Sequence, residues 1–331
     1  MNKLYARLFC IMALFCCWTI QAKPKILVIE SYQQQELWDS QYIAGLKSLL
    51  AADYQLEYFQ MNTKNLPEKQ HRGRGEIAWQ YYLDVRPELV ILGDDEALQY
   101  LGPRFAKTKL PVVYLGINHS PRTYHVDRRV NITGVLERPL LEPSVAMISQ
   151  LLASKAKRVL LLFDDSHASK IIQQELFANQ TSMQVAGVEL ELRLLNHWQA
   201  WQANVESMQQ QGFDAVIFGS LEGIRDSANQ YVTTEQVLTW SVAHSPVPPF
   251  SFWDFAVGEN KAIGGLVVDG FEQGRLAAGL AKTILEGEPV VPRSLGPLTA
   301  AKGRYLFSRS QLARYQIQLP ETIASKANYV D

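Results

Sequence analysis

Short unbroken apolar runs alternate along the 331 residues with longer stretches in which apolar side chains recur every three or four positions. The first run is Ile26–Ile29, and the spacing of Trp38, Ile43, Leu46 and Leu50 behind it predicts a helix. Further strands are predicted at Leu56–Phe59, Leu89–Leu92, Val112–Leu115, Val159–Phe163, Val188–Leu194, Ala215–Phe218, Phe250–Trp253 and Leu266–Val268, with helical patterns between most of them. Runs such as Leu89–Leu92 and Val159–Leu162 lack polar alternation, which suits parallel strands covered on both faces. The fold class is α/β.

The pattern plays twice. About four βα units run from Ile26 to Leu115 and about four from Val159 to Trp253, separated by an extended stretch at Asn131–Val135. Two Rossmann-like lobes with parallel sheets, joined by a hinge, are expected. Residues 23–136 and about 270–331 form the first, and 137–269 the second. A second passage between them is expected at Gly264–Asp269, ahead of a helix over Gly274–Leu285 that stops at Gly287 and Pro289.

The N-terminus adds a compartment. Lys3 and Arg7, the apolar run Leu8–Trp18 and a small residue at Ala22 read as a cleaved secretory leader over residues 1–22, too short to span a bilayer. Cys10, Cys16 and Cys17 are the chain's three cysteines and all fall within it. An exported chain cut before Lys23 then holds no disulfide, thiolate nucleophile or cysteine-ligated metal. A lipidated Cys17 is the rival reading, but Leu14-Phe15-Cys16 lacks the small residue such sites want before the cysteine. With a net charge of −1 and one brief basic cluster at His71–Arg74, nothing points to nucleic acid.

In open parallel sheets, ligands bind beyond the carboxyl ends of the strands, where helix N-termini present free N–H groups. The candidates there are Ser31, Tyr32, Asp94, Asp95, Gly116, Asn118, Asp164, Asp165, Ser166, Ser220, Trp253, Asp254 and Asp269. Asp94-Asp95 is the sharpest feature: one carboxylate is expected to cap the following helix and the other to meet a ligand ammonium or hydroxyl. Asp164-Asp165-Ser166 repeats it in the second lobe. Trp253 either stacks on a ligand or packs in the core. Enzyme chemistry finds no support. The six histidines show no zinc spacing, Gly73–Ala78 lacks the strand–turn–helix context of a dinucleotide loop, and Gly219-Ser220 lacks a nucleophile elbow.

One family shares these features in order. Ser31-Tyr32 followed by Trp38, Leu92–Ala97, Leu110–Asn118, Ile132–Glu137, and Gly264-Gly265 leading to Gln273-Gly274 and Ala277-Ala278 resemble the ABC-transporter substrate-binding proteins of type I periplasmic-binding-protein fold. More narrowly, they resemble the branch also used as extracytoplasmic sensor of histidine kinases and diguanylate cyclases. Gln33 stands where that family often carries histidine. The resemblance implies a monomeric periplasmic binding protein, with no cofactor or metal, that closes two lobes on a small polar ligand. Amino acids, including aromatic ones, fit the acidic and aromatic loop ends, and so do nucleobase- or imidazole-like compounds and short organic solutes. Its partner would be a membrane permease, or a sensor kinase or cyclase in the alternative role.

Overall fold

The computed structural model describes residues 23–153, 156–286 and 291–331. The leader expected over residues 1–22 and the helix stop expected at Gly287 and Pro289 lie outside these residues.

The first series of elements is β1 (Lys25–Glu30), α1 (Leu37–Leu50), β2 (Gln55–Gln60), α2 (Glu68–Val85), β3 (Leu89–Gly93), α3 (Asp94–Phe105), β4 (Val112–Ile117) and β5 (Ile132–Leu136). The second is α4 (Leu141–Leu151), β6 (Arg158–Asp164), α5 (His167–Leu176), β7 (Ser182–Val185), β8 (Val188–Leu195), α6 (Trp198–Ser207), β9 (Ala215–Phe218), α7 (Thr234–His244), β10 (Pro249–Ser251) and β11 (Gly264–Val267). The chain ends with α8 (Gly270–Glu286), β12 (Pro297–Thr299), β13 (Arg304–Phe307), α9 (Arg309–Arg314), α10 (Glu321–Ala324) and β14 (Asn328–Tyr329).

These strands make an α/β molecule with two main sheets. Sheet one runs β12-β5-β4-β3-β1-β2 and is parallel throughout; sheet two runs β10-β9-β6-β8-β7, with only β7 antiparallel. The continuous apolar runs sit in the middle of each sheet. Every residue of β3 and β4 is buried, and apolar clusters cover both faces of each sheet. Close approach of backbones docks α8 on α1. A Cβ on Gly45 would overlap the Phe271 carbonyl, and one on Gly274 would overlap that of Tyr42.

Two expectations need correction. Asn131–Val135 is not merely a spacer, because Ile132–Leu136 forms β5 and pairs with β4 as a further parallel strand. The passage to the second lobe begins at Glu137. The tail does not stay with the first lobe either. α8 and β12 do pack there, but the chain returns after Thr299. β13 pairs antiparallel with β11, and Phe307, Leu312, Ile317 and Ile323 fill the core of the second lobe. Apolar residues of the tail find their partners there rather than on the first sheet. Three passages, at residues 137–140, 268–269 and 300–303, therefore join the lobes.

Candidate functional site: the cleft between the lobes

The carboxyl ends of β1, β3, β4 and β5 meet those of β6, β9 and β10 across the passages. Ser31 at the end of β1 is fully buried. Its Oγ donates to the Gly93 carbonyl at 2.6 Å and accepts from the Ala97 N–H at 2.8 Å, so it caps α3 from a neighbouring strand. Neither aspartate does so, contrary to expectation. Asp94 has φ +68°, in the left-handed region, and its Oδ1 accepts the Trp38 indole N–H at 2.9 Å. Gly116, at φ +69°, leaves room for it, since a Cβ there would lie 2.7 Å from that oxygen. Asp95 turns instead to the loop after β4, accepting from the Asn118 and His119 N–H groups and from the Tyr124 hydroxyl at 2.8 Å.

Tyr32 is half-buried, with the Lys64 ammonium 4.1 Å from its ring centre. Burial pushes its hydroxyl well above the ordinary tyrosine range, and the charges of Asp94, Glu96, Asp95 and, from the second lobe, Glu222 push it the same way. Burial also raises the Asp94 carboxyl well above the usual range, helped by Asp39, Glu137 and Glu96. Asp94 Oδ2 has no hydrogen-bond partner in the structure.

The second lobe uses its polar residues differently. Asp164 is fully buried, and its two oxygens accept from Ser166 N, Ser169 Oγ, Ser220 Oγ and Gly223 N at 2.7–3.2 Å. Ser166 caps α5 by accepting from Ser169 N, and Asp165 pairs with Lys170 at 2.8 Å. Asp254 pairs with Arg304 at 3.2 Å, and Asp269 accepts the Phe271 N–H at the start of α8. The oxygens of Asp164 and the hydroxyls of Ser166 and Ser220 are thus engaged by the protein itself.

Glu137, in the first passage between lobes, joins the two walls. It accepts from Asn118 Nδ2 of the first lobe at 3.1 Å and from Trp253 Nε1 of the second at 2.7 Å. Burial raises its carboxyl to about 7 against the hydrogen bond from Trp253. Trp253 itself is half-buried, packed edge-on against Phe163 and Phe252. Next to Glu137, Arg138 donates to the carbonyls of Ile117, Asn118 and Glu137 and to the Glu175 carboxylate on α5. Gln273 ties α8 to the same place through Gly116 N and the Leu136 carbonyl. At the rim, His119 stacks on His167 of the other lobe with ring centres 5.1 Å apart, beside a cavity of about 470 Å³ between the β4–β5 loop and α5.

The sequence therefore located Ser31, Tyr32, Asp94, Asn118 and Trp253 at one junction, while missing Glu137, Arg138 and Gln273 as its organisers. It read Trp38 as part of a helical stripe and of the family pattern, not as a hydrogen-bond partner of Asp94. Its place in the first turn of α1, just after the β1 loop, was the available signal.

Two α/β lobes with strand ends facing a common cleft and three connecting passages define a bilobal binding protein. The chain belongs to the family described as ABC transporter substrate binding protein, whose model matches residues 86–331. Solved structures agree in fold. An ABC domain from Streptococcus pneumonia in complex with L-Trp is 16% identical with a TM-score of 0.59, covering 93% of this chain and 99% of that one. A substrate-binding protein with adhesive properties from Clostridium difficile, in a ligand-free, open structure, is 13% identical with a TM-score of 0.67 over the same shares. A conserved domain protein from Vibrio cholerae is 14% identical with a TM-score of 0.56, also over 93% and 99%. Comparison with curated protein sequences gives no match.

Proposed function

We propose that this protein is an exported solute-binding protein whose lobes close on a small polar ligand and present it to the permease of an ABC importer. The observation that carries this reading is Glu137, which sits in a passage between the lobes and takes one hydrogen bond from each wall of the cleft. A carboxylate so placed feels any movement of one strand-end set against the other. Ligand bound between the walls favours the closed state by the contacts it gains there, and a membrane partner can then tell loaded from empty protein. Relatives of this fold include one in complex with L-Trp and one in a ligand-free, open structure, which supports both states. The family's description supports delivery to a permease over signalling to a kinase. The protein works by binding, without turnover, as a periplasmic monomer freed of residues 1–22.

A thermal-shift screen followed by solution scattering tests the reading. Ligand at 100 times its dissociation constant adds about 2.7 kcal/mol of stability, and each kcal/mol moves Tm by about 2–4 °C for lobes of this size. One chemical class should raise Tm by several degrees and reduce the radius of gyration. Stabilisation without compaction would defeat the closure mechanism, and chemical conversion of the hit would defeat the pure binding role.

A further inference from the structure

The first-lobe wall carries more negative charge than the protein itself satisfies. Asp94 is 3% exposed and keeps Oδ2 without a partner. Glu30 and Asp39 are fully buried, and each keeps one oxygen unpartnered, as does Glu96. Asp39, Glu96 and Glu137 lie near enough to Asp94 to act on its charge. On the facing wall stand Asp164, Asp254 and Glu222.

Three basic side chains near the cleft are already engaged. Lys64 pairs with Glu36 at 3.5 Å while lying over the Tyr32 ring. Arg138 is held by Glu175 and Arg304 by Asp254. A ligand carboxylate would thus enter a field of like charge in which these three cations are already taken, which costs binding energy. A neutral solute offers the unpartnered Asp94 Oδ2 only a neutral hydrogen bond, weaker than the one a cation makes to it. A protonated amine supplies N–H donors and opposite charge together, and charge-assisted hydrogen bonds of this kind are the strong ones. Tyr32 and Trp38 beside Asp94 offer aromatic faces that attract a cation. Among the described residues no group of three or more metal-ligating side chains is present, so an inorganic ion is not what the wall is built to hold.

We propose that the ligand is an organic cation, a protonated amine without a carboxylate, held by the free oxygen of Asp94. This rests on the solute-binding reading above and narrows it to one charge class.

Matched probes decide the matter: tyramine, L-tyrosine and hydroxyphenylpropionate as one series, and cadaverine, L-lysine and glutarate as another, backed by a library of primary, secondary and tertiary amines. Binding is read by calorimetry and closure by scattering. Amines should be the hits, each at least about tenfold tighter than its zwitterionic or anionic counterpart. In Asp94→Asn, which keeps an acceptor for Trp38 and a residue type that tolerates the left-handed region, amine affinity should fall about tenfold or more while the protein stays folded. A zwitterion, anion or neutral solute binding as tightly as the best amine overturns the proposal. So does unchanged amine affinity in Asp94→Asn, or an amine library with no hit. In those cases, compaction by a solute of another class would leave the solute-binding reading standing and remove only the charge assignment.

Discussion

Asp164 receives four hydrogen bonds at the end of β6, whereas Asp94, just past the end of β3 in the other lobe, receives one. Both are buried, both follow an apolar strand, and both precede a second aspartate and a helix. Donors decide the difference. In the second lobe, Ser166, Ser169, Ser220 and Gly223 converge on the carboxylate, so it knots the β6–α5 and β9 loops together. In the first, Ser31 has taken over the capping, and Asp94 is left facing other acids. Two buried aspartates with similar sequence surroundings have therefore parted, one holding the framework and the other left with bonding capacity to spare.

The sharpest way to break that comparison is to remove each carboxylate. Asp164→Ala strands four donors at once, the buried Ser169 hydroxyl among them, and should cost about 3 kcal/mol or more, lowering Tm by about 6–12 °C. Asp94→Asn should leave Tm unchanged or raise it, because it relieves repulsion from Asp39, Glu137 and Glu96 and keeps the Trp38 bond. Equal losses in thermal unfolding would mean that the two positions serve the same purpose.

Acid should separate the walls next. Burial raises Glu30, Asp39 and Glu137 to about 7. Gln34, Gln60 and Lys47 oppose the shift at Glu30. At Asp39, Tyr42 and Lys64 oppose it while Glu30 and Glu36 add to it. At Glu137, Trp253 and Asn118 oppose it while Asp95 and Asp254 add to it. A carboxyl whose folded value lies above its unfolded one stabilises the fold fully below the unfolded value, and that stability is lost as pH rises through the folded value. The ligand-free protein should thus gain stability on acidification from about pH 8 to about pH 6, by at most about 1.4 kcal/mol per pH unit for each titrating group. Calorimetric Tm over that window is the check, and a falling Tm would contradict the charged wall. Glu137→Gln should flatten the rise.

Much of this is readable in the sequence alone. The central strands were legible because β1, β3, β4 and β6 are runs of apolar residues that leave only one pattern open. β5 was obscured because Thr133 and Gly134 interrupt it, and β13 and β14 because strands of four and two residues carry almost no periodic signal. Their pairing depends on β11, which lies far earlier in the chain. The cleft was legible as a location, since strand ends follow from strands. The roles within it were not, because they depend on which distant donors arrive. No local pattern says that Ser220 and Gly223 will reach Asp164, or that Glu137 will bridge Asn118 and Trp253.

Capping is the finest test of the same contrast. Ser166 caps α5 from within its own sequence, accepting from Ser169 N at 3.3 Å, and Ser169 Oγ bonds Asp164 as well. Ser31 caps α3 from another strand, fully buried, bonding Gly93 and Ala97 together. A local cap replaced by alanine typically costs about 0.5–2 kcal/mol, and half-buried Ser166 sits where water can reach the freed N–H. Ser166→Ala should therefore fall near the low end, a Tm decrease of about 1–4 °C. Ser31→Ala should cost more, because it strands the Ala97 N–H in a site water cannot enter, with a penalty of about 1–3 kcal/mol. Urea unfolding of both variants checks the order. If Ser166→Ala proves the more damaging, the second-lobe knot depends on its helix cap as much as on Asp164. If Ser31→Ala is harmless, α3 is held by packing of Ala97, Leu98 and Leu101, and the route by which Asp94 was freed from capping needs another cause.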